Sequence, residues 1–259
     1  MGSLLNEMRF RICYQNWMMQ QQEDLKELLE VYHENRNDEQ KLRLIIDKTI
    51  KHLEEYTDKR SQLAVDDAPS FFSPTWLTSV ENCYLWLGGC RPSLSIRLVY
   101  SLCGSELEEH LTEFLQGVRT GNLGELSADQ LGLVSDLQCR TIKEEEVLSS
   151  KMAGLQENIA GHQLTALANN WDHDSSTAAD QSTWQEVRQA LDSHAKALAS
   201  IFVEADQLRL NTLKELTGIL TPYQAVDFLV ASKKLHICIH QWGLRRGSQR
   251  GAADEGEPA

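Results

Sequence analysis

Apolar residues recur at helical spacing along nearly all of this 259-residue chain, and no segment alternates apolar and polar residues in twos between turn signals. That periodicity leaves little room for a sheet. It predicts an all-α fold, and the abundance of Leu with only 5 Pro agrees with it.

The first helix is expected from about Cys13 to Tyr32, with Trp17, Leu25, Leu28, Leu29 and Tyr32 on one face. Residues 1–12 read as an N-terminal extension without the apolar run of a signal peptide. After a polar stretch at 34–40, Leu42, Ile45, Ile46, Ile50 and Leu53 mark a second amphipathic helix. The pattern breaks at 68–74, where Ser73-Pro74 offers a cap and a first-turn proline. Thr78 with Glu81 has capping-box spacing, ahead of a helix carrying Cys83, Tyr84, Trp86 and Leu87. Gly88-Gly89 is expected to stop that helix and Pro92 to open the next, which Gly104 would end. Ser105 with Glu108 reads as another capping box, ahead of Leu111, Phe114 and Leu115.

After a loop at 119–124, Ser127 with Gln130 opens a long helix through Val134, Leu137, Leu148, Met152, Leu155 and Ile159. Residues 162–183 are polar and weakly periodic, and read as a mobile linker. A second long helix follows from Trp184 to Leu216, weakened or ended by Gly218. Thr221-Pro222-Tyr223-Gln224 starts a last helix, expected to stop at Gly243. Residues 244–259 read as a disordered acidic tail. Both long helices need partners for their apolar faces, so a single bundle with the two antiparallel is the simplest architecture, spanning 13–243.

A net charge of −13 argues against unaided nucleic-acid binding, which needs clustered Lys and Arg. No stretch approaches the ~20 apolar residues of a membrane span. The six cysteines form no C-x-x-C and lie in apolar helical patterns, as reduced, buried thiols of a soluble nucleocytoplasmic protein would. There is no P-loop, G-x-S-x-G or H-E-x-x-H, and the chain reads as no enzyme. Glu144-Glu145-Glu146 reads as a solvated helix face.

The stretch Trp86-Leu87-Gly88-Gly89-Cys90-Arg91-Pro92-Ser93 resembles the W-[LIM]-G-G-[FC]-R-P-S block of the Delay of Germination domain. That domain occurs in plant dormancy regulators and in TGA-type bZIP transcription factors. Ala205-Asp206-Gln207-Leu208-Arg209-Leu210-Asn211-Thr212-Leu213 and Ile219-Leu220-Thr221-Pro222 with Gln224-Ala225 are similar to two further blocks of the same family. The resemblance runs from about Tyr14 to Trp242. It favours the stand-alone dormancy regulators, because no basic region with leucine heptads precedes the domain.

Physically, Gly88, Gly89, Arg91 and Pro92 read as a helix–helix corner that Arg91 would pin through carbonyls or a carboxylate. His236 and His240, four apart on one helix face, can ligate a transition metal or a haem iron. The resemblance implies haem at this pair, in the stretch from Lys233 to Gly243. It also implies binding of type 2C protein phosphatases of abscisic acid signalling by the segment of Tyr14, Trp17 and Met18, where Ile12 and Cys13 depart from the family's D-S pattern. Packing of Tyr14 and Trp17 on the bundle is the alternative for those residues. Three functional readings follow: a seed-dormancy regulator restraining phosphatases, in nucleus and cytoplasm; a cofactor of TGA bZIP factors in transcription; and a carrier of an apolar ligand. Self-association through the long helices is open to all three.

Overall fold

The computed structural model describes residues 2–34, 36–109, 121–158 and 178–254. Among them the chain forms eight α-helices and no strand. They are α1 Gly2–Glu34, α2 Glu39–Asp67, α3 Pro69–Phe72, α4 Ser79–Cys83, α5 Ser93–Glu109, α6 Ala128–Asn158, α7 Ala178–Ile219 and α8 Pro222–Asp254, with a 3₁₀ turn at Leu123–Glu125 before α6.

Cross-helix pairs fix the packing order as α8–α1–α2–α7–α6. Asp24 with Lys233 at 2.7 Å and Tyr32 stacked on Tyr223 at 5.0 Å set α1 antiparallel to α8. Trp17 on Tyr56 at 4.2 Å and Glu27 with Lys48 at 2.5 Å set α1 antiparallel to α2. Lys214 with Glu54 and Arg60 with Asp206 join α2 to α7. Arg140 with Glu215 at 2.7 Å and Lys151 with Glu204 at 2.5 Å make α6 and α7, the two helices expected to be long, antiparallel as expected. The main core lies where the antiparallel layers close on α5 and the first half of α8. Leu28, Ile96, Val99, Leu123, Val134, Leu216, Val226 and Phe228 are fully buried there. A second cluster of Phe10, Leu63, Ala64, Phe71 and Phe202 closes the far end of α1 and α2.

Capping boxes explain three of the eight helix starts. Thr78 and Glu81 form one at α4, Ser127 and Gln130 one at α6, and Thr221 and Gln224 one at α8. Other boundaries differ from the periodicity. Residues 2–12 belong to α1, because Phe10 is buried against Phe71 and Trp76. Pro74 opens no helix; α4 waits for the Thr78 box and ends at Cys83, before Trp86. Gly104 and Ser105 lie inside α5, so neither ends nor caps a helix; 110–118, with Leu111, Phe114 and Leu115, are outside the described residues. Most of the expected linker, 162–177, is also outside them, whereas 178–183 already belong to α7. Gly243 does not stop α8, which runs on through 244–254 where a disordered tail was expected. A Cβ at Gly243 would overlap the Thr78 side chain, so this glycine serves close approach of α4 rather than termination.

All six cysteines are free, and none is buried: Cys83, Cys90, Cys139 and Cys238 are exposed. Among the described residues no helix is long and apolar enough to cross a membrane.

Candidate functional site

Two polar constructions stand out from the apolar packing. The first is the corner between α4 and α5. Trp86 N–H donates to Gly89 O at 2.6 Å and Gly89 N–H to Trp86 O at 3.1 Å, closing a two-residue turn. Leu87 and Gly88 sit there at φ 46° and 75°, the paired positive dihedrals of a type I′ turn. A Cβ on Gly88 would come within 2.6 Å of the Phe202 ring, and one on Gly89 within 2.8 Å of the Arg209 guanidinium.

The turn's outward carbonyls are taken by arginines from other helices. Arg209 donates to Trp86 O, to Leu87 O at 3.1 Å and to Cys90 O at 2.7 Å, and Arg60 donates to Gly88 O at 2.5 Å. Asp206, buried, holds both guanidiniums, at 2.6 Å from Arg209 and 3.3 Å from Arg60. The Ala205–Arg209 stretch is therefore the clamp that grips the Trp86–Ser93 stretch. Arg91, expected to pin the corner through carbonyls or a carboxylate, meets a carboxylate: from a half-exposed position it lies 3.6 Å from Glu145. The carbonyls go to Arg60 and Arg209 because those side chains reach the turn from inside the bundle.

Glu145 itself corrects an expectation. It is 1% exposed, not a solvated face residue. Its carboxylate accepts from Ser93 N–H at 2.7 Å and Ser93 Oγ at 3.1 Å, covering the N-terminus of α5 where an anion is favoured.

The second construction joins α1, α4 and α8 around Glu81. One carboxylate oxygen accepts from Thr78 N–H at 2.8 Å and Thr78 Oγ at 2.7 Å. The other accepts from the Tyr14 hydroxyl and lies 3.0 Å from His240 Nδ1. Tyr14 Oη is 3.3 Å from the same nitrogen, and the two rings meet edge-on at 5.9 Å. Burial, opposed and outweighed by the Tyr14 and Thr78 hydrogen bonds and by His240, leaves the Glu81 carboxyl below the usual carboxylate range. Burial and the neighbouring carboxylate push the Tyr14 hydroxyl well up.

Tyr14 and Met18 are thus buried, in a cluster with Ile237, while Trp17 packs beside them and stacks on Tyr56. As placed, the three residues expected at a partner surface line the α1–α8 seam. His236 lies one turn from His240 and makes no hydrogen bond among the described residues. Burial, only partly offset by Glu81 and reinforced by Lys233 and His240, lowers its pKa to about 4. Its ring is therefore neutral at physiological pH, with a lone pair free for a metal. Both rings leave one face of α8 one turn apart, so they could not flank a metal ion from opposite sides. Among the described residues no group of three or more His, Cys, Asp or Glu is arranged to hold a metal ion.

A depressed histidine pKa has a consequence for stability. The unfolded ring takes a proton near pH 6.5 and the folded ring near 4, so the unfolded state binds more protons between them. This contribution is complete above pH 6.5 and is lost as the pH falls toward 4. The stability difference between the unaltered chain and His236→Gln should shrink by about 2 kcal/mol from pH 7 to pH 4.5, with partial exposure allowed for. Urea unfolding at the two pH values measures it; a constant difference would refute it.

A neighbouring network ties the same helices farther along. Lys233 Nζ is buried and donates to Asp24 at 2.7 Å and Gln21 at 3.0 Å, while His52 Nδ1 lies 2.7 Å from Asp24. Sequence patterning identifies neither this network nor Glu81, Glu145 and Arg60 as site residues.

The family profile described as "DOG1: Seed dormancy control" matches residues 24–101. Protein DOG1-like 3 of Arabidopsis thaliana is 37% identical over 246 residues, which take in 92% of this chain and 85% of that protein. Protein DOG1-like 1 of the same plant is 36% identical over 265 residues, 95% of this chain and 92% of the relative. Transcription factor TGA5 is 29% identical over 238 residues, covering 92% of this chain but only 62% of the factor.

Proposed function

The chain belongs to the DOG1 seed-dormancy family, and on that premise we propose that it is a non-enzymatic regulator of dormancy that works by binding partner proteins. The partners in this reading are type 2C protein phosphatases of abscisic acid signalling, met in the nucleus and cytoplasm. Haem is the ligand, taken up at the His236 and His240 pair.

The match of more than nine-tenths of the chain to Protein DOG1-like 3 carries the reading. The geometry supports it at two points. The Tyr14 segment and the His240 segment, which the resemblance links to partner and haem, meet at Glu81. And His236 is held neutral, the state an iron ligand needs. Bound haem would supply a redox-active and gas-binding iron; the chain's own residues present the imidazole and seat it on α8.

Hemin titration followed at the Soret band tests the ligand. A His236→Ala/His240→Ala double variant should lose the imidazole-ligated spectrum and bind at least tenfold more weakly. Identical spectra and affinities in variant and unaltered chain would remove the site.

The similarity to TGA5 favours a second reading, in which the chain associates with TGA bZIP factors and regulates transcription through them. Pulldown of both protein classes with the same immobilised chain separates the two. Retention of phosphatase supports the first reading, and retention of TGA factor alone supports the second.

A further inference from the structure

Glu81 begins as a helix cap, the third residue of a five-residue helix. Its position makes it more than that. The carboxylate accepts from Thr78 N–H, Thr78 Oγ and the Tyr14 hydroxyl, and His240 Nδ1 lies 3.0 Å from it. An ionised carboxylate only accepts hydrogen bonds, so the nitrogen facing it must carry the hydrogen. A neutral imidazole has one N–H. With that hydrogen on Nδ1, Nε2 is left with a bare lone pair.

We propose that Glu81 is the positioning residue of the histidine pair: it locks His240 in the Nδ1–H form and so makes Nε2 of His240, rather than His236, the atom presented to the haem iron. The proposal rests on the haem reading above. Three observations hold it up. The His240 ring is met by two groups, Glu81 at 3.0 Å from Nδ1 and the edge-on Tyr14 ring. Glu81 is itself immobilised, because Thr78 and Glu81 cap each other and α4 is seated against α8 where Gly243 has no side chain. His236 makes no hydrogen bond among the described residues that would fix its tautomer. A histidine that binds metal characteristically gives its other N–H to a carboxylate, which orients the ring and raises its basicity.

The first test needs no haem. Long-range ¹H–¹⁵N correlation spectra of the labelled full-length chain report which ring nitrogen of each histidine is protonated. His240 should be the Nδ1–H tautomer, and should remain so in Tyr14→Phe, which removes a different donor from the same carboxylate. Glu81→Gln should give a tautomer mixture. An Nε2–H tautomer for His240 in the unaltered chain overturns the proposal.

The second test is hemin titration of single variants. His240→Ala should lose the imidazole-ligated Soret spectrum and His236→Ala should keep it. Glu81→Gln should bind 10- to 100-fold more weakly, and in the reduced complex its iron–histidine stretch in resonance Raman should move to lower frequency. A purely structural role for Glu81 would leave that stretch in place. Should Glu81→Gln fail to fold, the His236→Ala and His240→Ala pair and the tautomer spectrum decide alone. Hemin bound through His236 with His240→Ala unaffected overturns the assignment only. No hemin uptake by the unaltered chain overturns the haem reading and the assignment with it.

Discussion

Replacing Gly88 by alanine is expected to cost about 3–4 kcal/mol of folding stability, a large share of the ~5–15 kcal/mol that holds a typical domain together. Two penalties combine. Gly88 sits at φ 75°, where an L side chain adds ~1–2 kcal/mol of strain. Its Cβ would also press 2.6 Å from Phe202, which is fully buried and cannot swing away, and overpacking of that kind costs ~1–3 kcal/mol. Gly121 provides the control. It has φ 72° with nothing within 4 Å of a Cβ, so Gly121→Ala should carry the strain alone, about 1–2 kcal/mol. Urea unfolding of the three proteins reads both numbers. Equal losses at the two glycines would show that the Phe202 contact contributes nothing.

Arg209→Met is the second large effect. It strands three carbonyls of the turn, at Trp86, Leu87 and Cys90, and takes from buried Asp206 the nearer of its two guanidiniums. Removing one partner of a buried ion pair costs ~3–5 kcal/mol, because the charge left behind stays desolvated. Arg60, 3.3 Å from Asp206, still offsets part of it, so a loss near the lower end, about 3 kcal/mol, is expected. Arg91→Met should cost less than about 1 kcal/mol, since that side chain is half exposed, its approach to Glu145 is long at 3.6 Å, and Ser93 N–H and Oγ still hold the buried carboxylate. The same urea measurement ranks the two arginines. A larger loss at Arg91 would return the corner to the residue within its own motif and contradict the clamp described here.

The contrast between those arginines shows what a sequence of this kind discloses. Three of the four capping boxes that the spacing suggested were readable, the exception being Ser105 with Glu108, which lies within α5. The boxes at Thr78/Glu81, Ser127/Gln130 and Thr221/Gln224 form as their spacing implies, because both partners sit on one helical turn. The all-α class and the antiparallel α6–α7 pair follow from periodicity and from the need to bury two long apolar stripes.

Features set by distant partners were not readable. Gly104 and Gly243 look alike as helix stops, yet both lie within helices, and only the packed structure shows Gly243 against Thr78. In the run Glu144–Glu146, successive side chains point 100° apart, so one of the three can face inward. Which one does so depends on Ser93, 52 residues away. Glu81 was visible as a cap, but its partners Tyr14 and His240 lie 67 and 159 residues away in sequence. The histidine pair was visible from spacing, and the carboxylate that distinguishes its two members was not.

Placement of Tyr14 and Met18 inside the α1–α8 seam also narrows how a partner would engage that segment. α1 offers Trp17 and the exposed side chains of Ile12, Gln15, Asn16 and Met19 at this level without rearrangement, whereas Tyr14 is held by Glu81 and His240.

The most direct test of the central claim, regulation by restraint of phosphatases, is the activity of a type 2C protein phosphatase on a phosphopeptide, titrated with the purified full-length chain. A saturable loss of activity, with the same midpoint as binding measured by calorimetry, is the predicted result. Full activity at saturating chain, or no heat of binding at all, would contradict the account.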